Sequence, residues 1–409
     1  MDSSSRPGAA VVPSRPTVAF AALALALLLG LQPVTTDVYL PALPMLTKAL
    51  AAPLPAAQMT MAALMLAFGV GQLFWGPVAD RVGRKPALLA GLVLHAAAGV
   101  GAAMAPSIEW LVAWRAAQGL GLAAAVVIAR AIVRDLYEPV EGARVMSLGL
   151  TGLGLIAFAS PSVGGWAAAG FGWRACLALV AAGGALTLGF VALRLPETIR
   201  QRNPQATRLA PLAVQWGRIA RHPTFLAWAL LVSFTYGGLY TYLAGSSFIY
   251  IGLLGLGPGA FGLALASGSL AYIAGTFVCR RWILRWGVQG AVRRGGWLSI
   301  AAAAAIVLPA LAGVQSVPAV LLPQWLFGFA HGIHQPCGQA GAVGPFPHAA
   351  GTASALAGFA LALVAFADGR WLGSALAATS TLPFALTVGF WSLATAAVAL
   401  TLVQRLPAR

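Results

Sequence analysis

Apolar runs longer than about 18 residues recur from Val18 to the end of the chain, and each is long enough to cross a hydrocarbon core of about 30 Å as one helix. Lipid offers backbone polar groups no partner, so a segment in it must satisfy its own hydrogen bonds, and a helical bundle is the economical solution. Of 409 residues, 60% are hydrophobic and 8% are charged, against roughly 25% charged in an ordinary soluble domain. A water-soluble surface cannot be built from that supply.

The hydrophobic pattern predicts spans at 17–40, 56–78, 86–106, 109–131, 145–168, 174–194, 224–247, 258–281, 295–313, 317–341, 349–371 and 383–404. The expected fold class is an all-α membrane protein of about twelve transmembrane helices in two six-helix halves. The longest polar stretch contains Pro196, Asn203, Pro204 and a group of arginines. It divides the chain into an N-terminal half, 1–194, a linker, 195–223, and a C-terminal half, 224–409. Two such halves suggest an internal repeat with a site between them at mid-membrane, around which they rock. A short rhyme supports it: Asp80-Arg81-Val82-Gly83-Arg84 follows the second span, and Leu284-Arg285-Trp286-Gly287 follows the eighth.

A net charge of +16 suggests nucleic acid in a soluble protein, but here its distribution matters more than its sum. The basic residues gather in alternate connections: Arg81, Arg84 and Lys85; Arg130, Arg134 and Arg144; Arg194 to Arg221; Arg280 to Arg294. Lys48 and Arg174 are the main exceptions. That alternation follows the positive-inside rule, which places these turns and both termini in the cytoplasm and leaves no role for nucleic acid. Arg6 and Arg15 precede the first apolar run as in a secretory signal, but no convincing cleavage site follows, so the run is expected to be retained. Cys176, Cys279 and Cys337 lie in or beside apolar segments and imply no disulfide framework. No Gly-Lys-Ser/Thr phosphate loop appears, which disfavours an ATP-driven pump.

The turn Gly76-Pro77-Val78-Ala79-Asp80-Arg81-Val82-Gly83-Arg84-Lys85-Pro86 carries more than a topogenic charge. Gly76 and Gly83 permit a tight reversal, and Asp80 can accept from arginines or meet the positive end of a helix, such as the one starting near Gly351 and Thr352. A purely basic turn explains the arginines and leaves Asp80 and both glycines unexplained. Asp37 stands near the outer end of the first span in Thr36-Asp37-Val38-Tyr39-Leu40-Pro41. An ionisable group there is expensive, which makes it a candidate to bind and release a proton. Arg115, in Arg115-Ala116-Ala117-Gln118-Gly119, lies roughly 9 Å inside the fourth span at 1.5 Å per residue, at a depth comparable with Asp37. The fifth span carries Ser160-Pro161-Ser162-Val163-Gly164-Gly165, where proline frees a carbonyl and the glycines allow a bend or close helix contact.

These residues resemble the drug:proton antiporters of the major facilitator superfamily, and specifically the bicyclomycin and chloramphenicol resistance branch. The resemblance covers nearly the whole chain, and the turn from Gly76 to Pro86 is its most specific element. It implies an inner-gate latch built from Gly76, Asp80, Arg81, Gly83 and Arg84, with Arg134 contributing. It implies proton coupling through Asp37 and Arg115, and antiport through Pro161, Gly164 and Gly165, although Ser160 stands where the family's motif has glycine. Tyr39, Gln118, Tyr236, Tyr240 and Phe248 are the candidate substrate contacts, since amphipathic rings suit poorly water-soluble ligands. The expected function is proton-coupled export of small hydrophobic drugs or antibiotics across a bacterial-type cytoplasmic membrane by a monomer, with no cofactor and no metal. A transporter of an endogenous metabolite is the alternative on the same fold. A membrane-embedded metal enzyme is the alternative from another class, suggested by His331, His334 and Cys337, three residues apart on one face of the tenth span. That spacing is compatible with zinc, but only three ligands are visible and Pro336 is expected to disturb the helix. Asp368 and Glu109 are further carboxylates near span ends, candidate helpers to Asp37 but expected to be interfacial.

Overall fold

The computed structural model describes residues 17–199, 201–376 and 380–407. Arg6, Arg15 and Arg200, and with them both chain termini, lie outside the described residues. Thirteen α-helices and four short 3-10 or π turns account for the ordered path, with no strand among the described residues. The helices are α1 Val18–Asp37, α2 Leu43–Ala49, α3 Leu54–Val82, α4 Arg84–Ala103, α5 Ile108–Leu136, α6 Pro139–Phe171, α7 Trp173–Arg194, α8 Leu209–Ala220, α9 Pro223–Ser247, α10 Pro258–Leu311, α11 Val317–Val343, α12 Ala350–Ala375 and α13 Leu382–Leu400.

Ten segments among the described residues are long and apolar enough to cross a membrane. The count becomes twelve on two physical grounds. At about 1.5 Å per residue the 54-residue α10 would run some 80 Å, far beyond one bilayer, and it breaks at Gly287, whose φ of 68° and ψ of 175° are not helical. α11 is 27 residues long but carries Gln324, His331, His334 and Gln335, which lower its hydropathy below that of its neighbours. The chain is a multi-pass membrane protein, and Leu155, Leu186, Leu193 and Phe277 present large apolar side chains outward, as lipid requires.

The two glycines of the sequence rhyme play the same part. Gly83 (φ 114°) ends α3 and begins α4, and Gly287 (φ 68°) divides α10; a side chain is strained in that region of backbone space. Gly76 does not share the role. α3 runs through Gly76 and Pro77 to Val82, so the reversal rests on Gly83 alone. α11 likewise runs unbroken through Pro323 and Pro336, contrary to the expected disturbance, because neighbouring helices hold a proline-containing segment in lipid. The polar linker also holds an unanticipated element: α8 is a short amphipathic helix whose Trp216 meets Phe74 of α3 edge-on.

α1 packs on α5, α6 and α7, while α3 and α4 pack on α5, and α4 on α7. α9 packs on α11, α12 and α13, and α10 packs on α11 and α13. Two long seams join these sets of helices: α3 against α12, and α6 against α10.

Candidate functional site

Of the residues expected to form a latch, Asp80 and Arg84 meet at the arginine-rich end. Arg84, beginning α4, donates from Nη1 to Asp80 Oδ1 and from Nε to Asp135 Oδ2 at 2.8 Å. Its side chain is 10% exposed, Asp135's 21% and Asp80's 45%. Asp80 therefore meets an arginine and not the helix start at Gly351, which lies instead beside the Arg134 guanidinium. Glu197 completes the group, its carboxylate accepting from the backbone N–H groups of Arg84 at 3.0 Å and Lys85 at 3.2 Å. Those are the unsatisfied donors of the α4 N-terminus, where an anion is favoured. Arg81 turns to the linker and donates to Thr207 at 2.8 Å. Asp135 and Glu197 were not singled out from the sequence, although each adjoins a residue that was: Asp135 follows Arg134, and Glu197 follows Pro196.

Arg115 is fully buried and has no carboxylate partner among the described residues. It donates from Nη1 to Gln118 Oε1 at 2.7 Å and from Nη2 to the Thr35 carbonyl at 3.0 Å, with Met61 Sδ at 3.5 Å. Its guanidinium carbon stands 4.5 Å from the centroid of the Tyr39 ring, a favourable face for a cation. His95 of α4 joins this group, donating from Nδ1 to the Gln118 carbonyl at 3.2 Å; nothing in the sequence pattern marked it. Tyr39 and Gln118 therefore serve the guanidinium, and Tyr39 further bonds Thr60 at 2.9 Å.

A cavity of about 300 Å³ lies between α1 and α6 on one side and α9, α10 and α11 on the other. Asp37 is the one charged residue on its wall, beside Gln32, Tyr236, Tyr272, Gln324 and His331. Asp37 accepts from Thr36 Oγ1 at 2.7 Å and has no cationic partner among the described residues. Of the five candidate substrate contacts only Tyr236 lines this cavity. Tyr240 is wholly buried beside Gly369, and Phe248 opens the π-helical turn after α9.

The fifth-span motif adjoins the cavity, with Pro161 on its wall. A Cβ on Gly164 would run into the Val38 backbone, and one on Gly165 into that of Pro258. The carbonyl of Pro161 crowds Gly262 of α10 in the same way. The motif thus produces close contact between backbones rather than a bend, with Gln58 Nε2 of α3 donating to the Ala244 carbonyl of α9 at 2.8 Å. The three residues that suggested zinc diverge. His331 Nδ1 pairs with Thr235 at 3.0 Å, His334 Nε2 with Ser299 at 3.1 Å, and Cys337 Sγ lies 3.5 Å from Cys279 Sγ.

A bundle of about twelve membrane-crossing helices with a mixed polar and aromatic cavity between its two sets of helices defines a membrane transporter. The chain belongs to the Major Facilitator Superfamily, whose model matches residues 21–367. The multidrug resistance protein D of Escherichia coli is 30% identical over 82% of this chain and 84% of its own length. A bicyclomycin resistance protein homolog of Haemophilus influenzae is 28% identical over 87% of this chain and 88% of its own. In fold, the chain is similar to the xylose transporter XylE from E. coli in a partially occluded inward open conformation, with a TM-score of 0.76 at 16% identity, covering 95% of this chain and 98% of that one.

Proposed function

We propose that this transporter exports small, moderately hydrophobic compounds, antibiotics among them, in exchange for protons entering the cell across the cytoplasmic membrane. The observation that carries the reading is Asp37: a lone carboxylate on the wall of a cavity otherwise made of aromatic, amide and apolar groups. Such a wall suits neutral or cationic drug-like molecules and repels anions. A carboxylate without a fixed counter-ion can exchange a proton for a substrate in the same space. Each elementary charge that crosses is worth about 2.3 kcal/mol per 100 mV of membrane potential, so proton influx can drive uphill export. The names carried by the two bacterial relatives, multidrug resistance protein D and bicyclomycin resistance protein homolog, support the substrate class.

In this reading the arginine-rich turns face the cytoplasm, the chain acts as a monomer, and residues 1–194 and 224–409 form two halves that rock about the cavity. The latch around Arg84 and the seam at Pro161, Gly164 and Gly165 are then the gates at the two ends. Arg115 holds the segment carrying Asp37 in place. The experiment is proton-driven uptake of a resistance substrate such as chloramphenicol into inside-out vesicles, the direction that corresponds to export from the cell. Asp37→Asn should abolish accumulation driven by a pH gradient while leaving passive exchange across the protein. Undiminished coupled uptake would remove Asp37 from the mechanism.

A further inference from the structure

We propose that Asp368 is a second proton-carrying carboxylate, seated among α9, α12 and α13 away from the cavity wall that holds Asp37; this deepens the proton-coupled reading and rests on it. Asp368 was expected at an interface, but it is 2% exposed. α12 continues past it to Ala375 and packs along α3 and α9, while Trp391 of α13 reaches its carboxyl. Its Oδ1 accepts from Trp391 Nε1 at 2.9 Å and its Oδ2 lies 2.8 Å from Thr241 Oγ1.

The Thr241 hydroxyl makes this arrangement a two-state proton site. It also lies 3.0 Å from the Gly237 carbonyl, and a hydroxyl has one proton to give. When Asp368 is ionised, Thr241 turns its proton to Oδ2. When Asp368 is protonated, its own O–H donates to Thr241 Oγ1, and the threonine proton goes to the Gly237 carbonyl. Both states use the same heavy-atom positions, and Trp391 donates to Oδ1 throughout. A staple between helices would be met as well by an amide, without an ionisable group in lipid.

Among the described residues no cation pairs with Asp368. The titratable groups facing it are Tyr240 and, behind it, Tyr236 on α9, with Arg115 of α5 reaching Tyr240. α3 contributes Ala62 and Gln58 near this site and α13 contributes Trp391, none of which titrates. Toward the end of the bundle away from the arginine-rich turns, the buried hydroxyls of Tyr240, Ser246 and Ser247 and the Gln58 carbonyl oxygen have no protein partner. Of these, the Tyr240 hydroxyl stands against Gly369 and Gln58 against Gly373, on the same helix as Asp368, and an unpaired polar group near a buried acid can take a proton or a water that carries one.

Infrared difference spectra of the purified full chain, recorded between alkaline and acidic pH, test this directly through the C=O band of a protonated carboxyl in an apolar site. Wild type should show two such bands, of which Asp37→Asn removes one and Asp368→Asn the other. Thr241→Val, which keeps the carboxyl, should shift the Asp368 band and leave the Asp37 band in place, and it serves if Asp368→Asn fails to fold. Bands unchanged by Asp368→Asn in folded protein, or by Thr241→Val, would overturn the inference and leave Asp37 standing. Loss of a band in Asp368→Asn with none lost in Asp37→Asn would instead remove Asp37 from the preceding reading and keep Asp368 as the proton site.

Discussion

Arg115 donates to the carbonyl of Thr35 at 3.0 Å, two residues before Asp37, and its guanidinium lies over the ring of Tyr39, two residues after. The arginine therefore grips the backbone that presents the carboxylate and makes no ion pair with the carboxylate itself. Arg115→Lys keeps the charge and loses the planar fork, since one ammonium cannot reach Thr35 and Gln118 while lying over Tyr39. Each buried acceptor left unpaired costs about 1 to 3 kcal/mol. The expected result is a folded protein with coupled efflux slowed by at least about tenfold, the consequence of misplacing a reacting group. Wild-type efflux in the lysine variant would show that the grip has no bearing on transport.

Gly83 and Gly287 both require positive φ, but their surroundings differ. A Cβ at Gly83 would meet the Glu197 carboxylate, whereas none of the neighbouring atoms lies within 4 Å of one at Gly287. Backbone strain of about 1 to 3 kcal/mol applies to both substitutions, and Gly83→Ala adds displacement of the carboxylate that caps α4. Thermal unfolding in detergent should rank Gly83→Ala well below Gly287→Ala. Equal midpoints would mean that Glu197 contributes nothing to the turn.

The number of crossings could be read from hydropathy because lipid imposes a length and a composition on every span. Even the break at Gly287 was marked by its rhyme with Gly83. What lies on which face could not be read. In a predominantly apolar helix such as α9 or α12 the hydrophobic pattern does not distinguish lipid from protein interior, so the position of Asp368 near a span end points to an interface. Glu109, at the same kind of position, is exposed. The difference lies in packing, since Thr241 of α9 and Trp391 of α13 enclose the Asp368 carboxyl. Tyr39 and Gln118 were identified by their neighbours in sequence, and both turn toward Arg115 rather than toward the cavity. α8 was concealed by the polar composition of the linker, which its one apolar face does not alter.

Arg84 bridges two acids of unequal exposure, and this ranks their contributions. Asp135, at 21% exposure, is the better shielded partner, while Asp80 at 45% is close to solvent. Exposed pairs contribute about 0 to 1 kcal/mol, and shielding raises that value. Double-mutant cycles with Arg84→Gln should therefore return a larger coupling for Asp135→Asn than for Asp80→Asn, read from unfolding in detergent at low salt. The opposite ranking would place the energetic weight of the latch on the solvent-facing contact.

Gly154 provides a test of the cavity that is separable from folding. It lines the space between α6 and α10, and a Cβ there would meet no atom within 4 Å, so Gly154→Trp has room for its ring and need not displace a helix. The indole would then occupy much of a volume of about 300 Å³ and lie where a hydrophobic substrate must sit. Ten residues further along α6, Gly164 abuts the backbone of Val38, and Gly164→Trp has no such room. Gly154→Trp should therefore reach the membrane in normal amount, unfold near the wild-type temperature and fail to confer resistance, while Gly164→Trp should be lost before it accumulates. If the Gly154 variant exported chloramphenicol at the wild-type rate, the substrate path would have to lie elsewhere in the bundle.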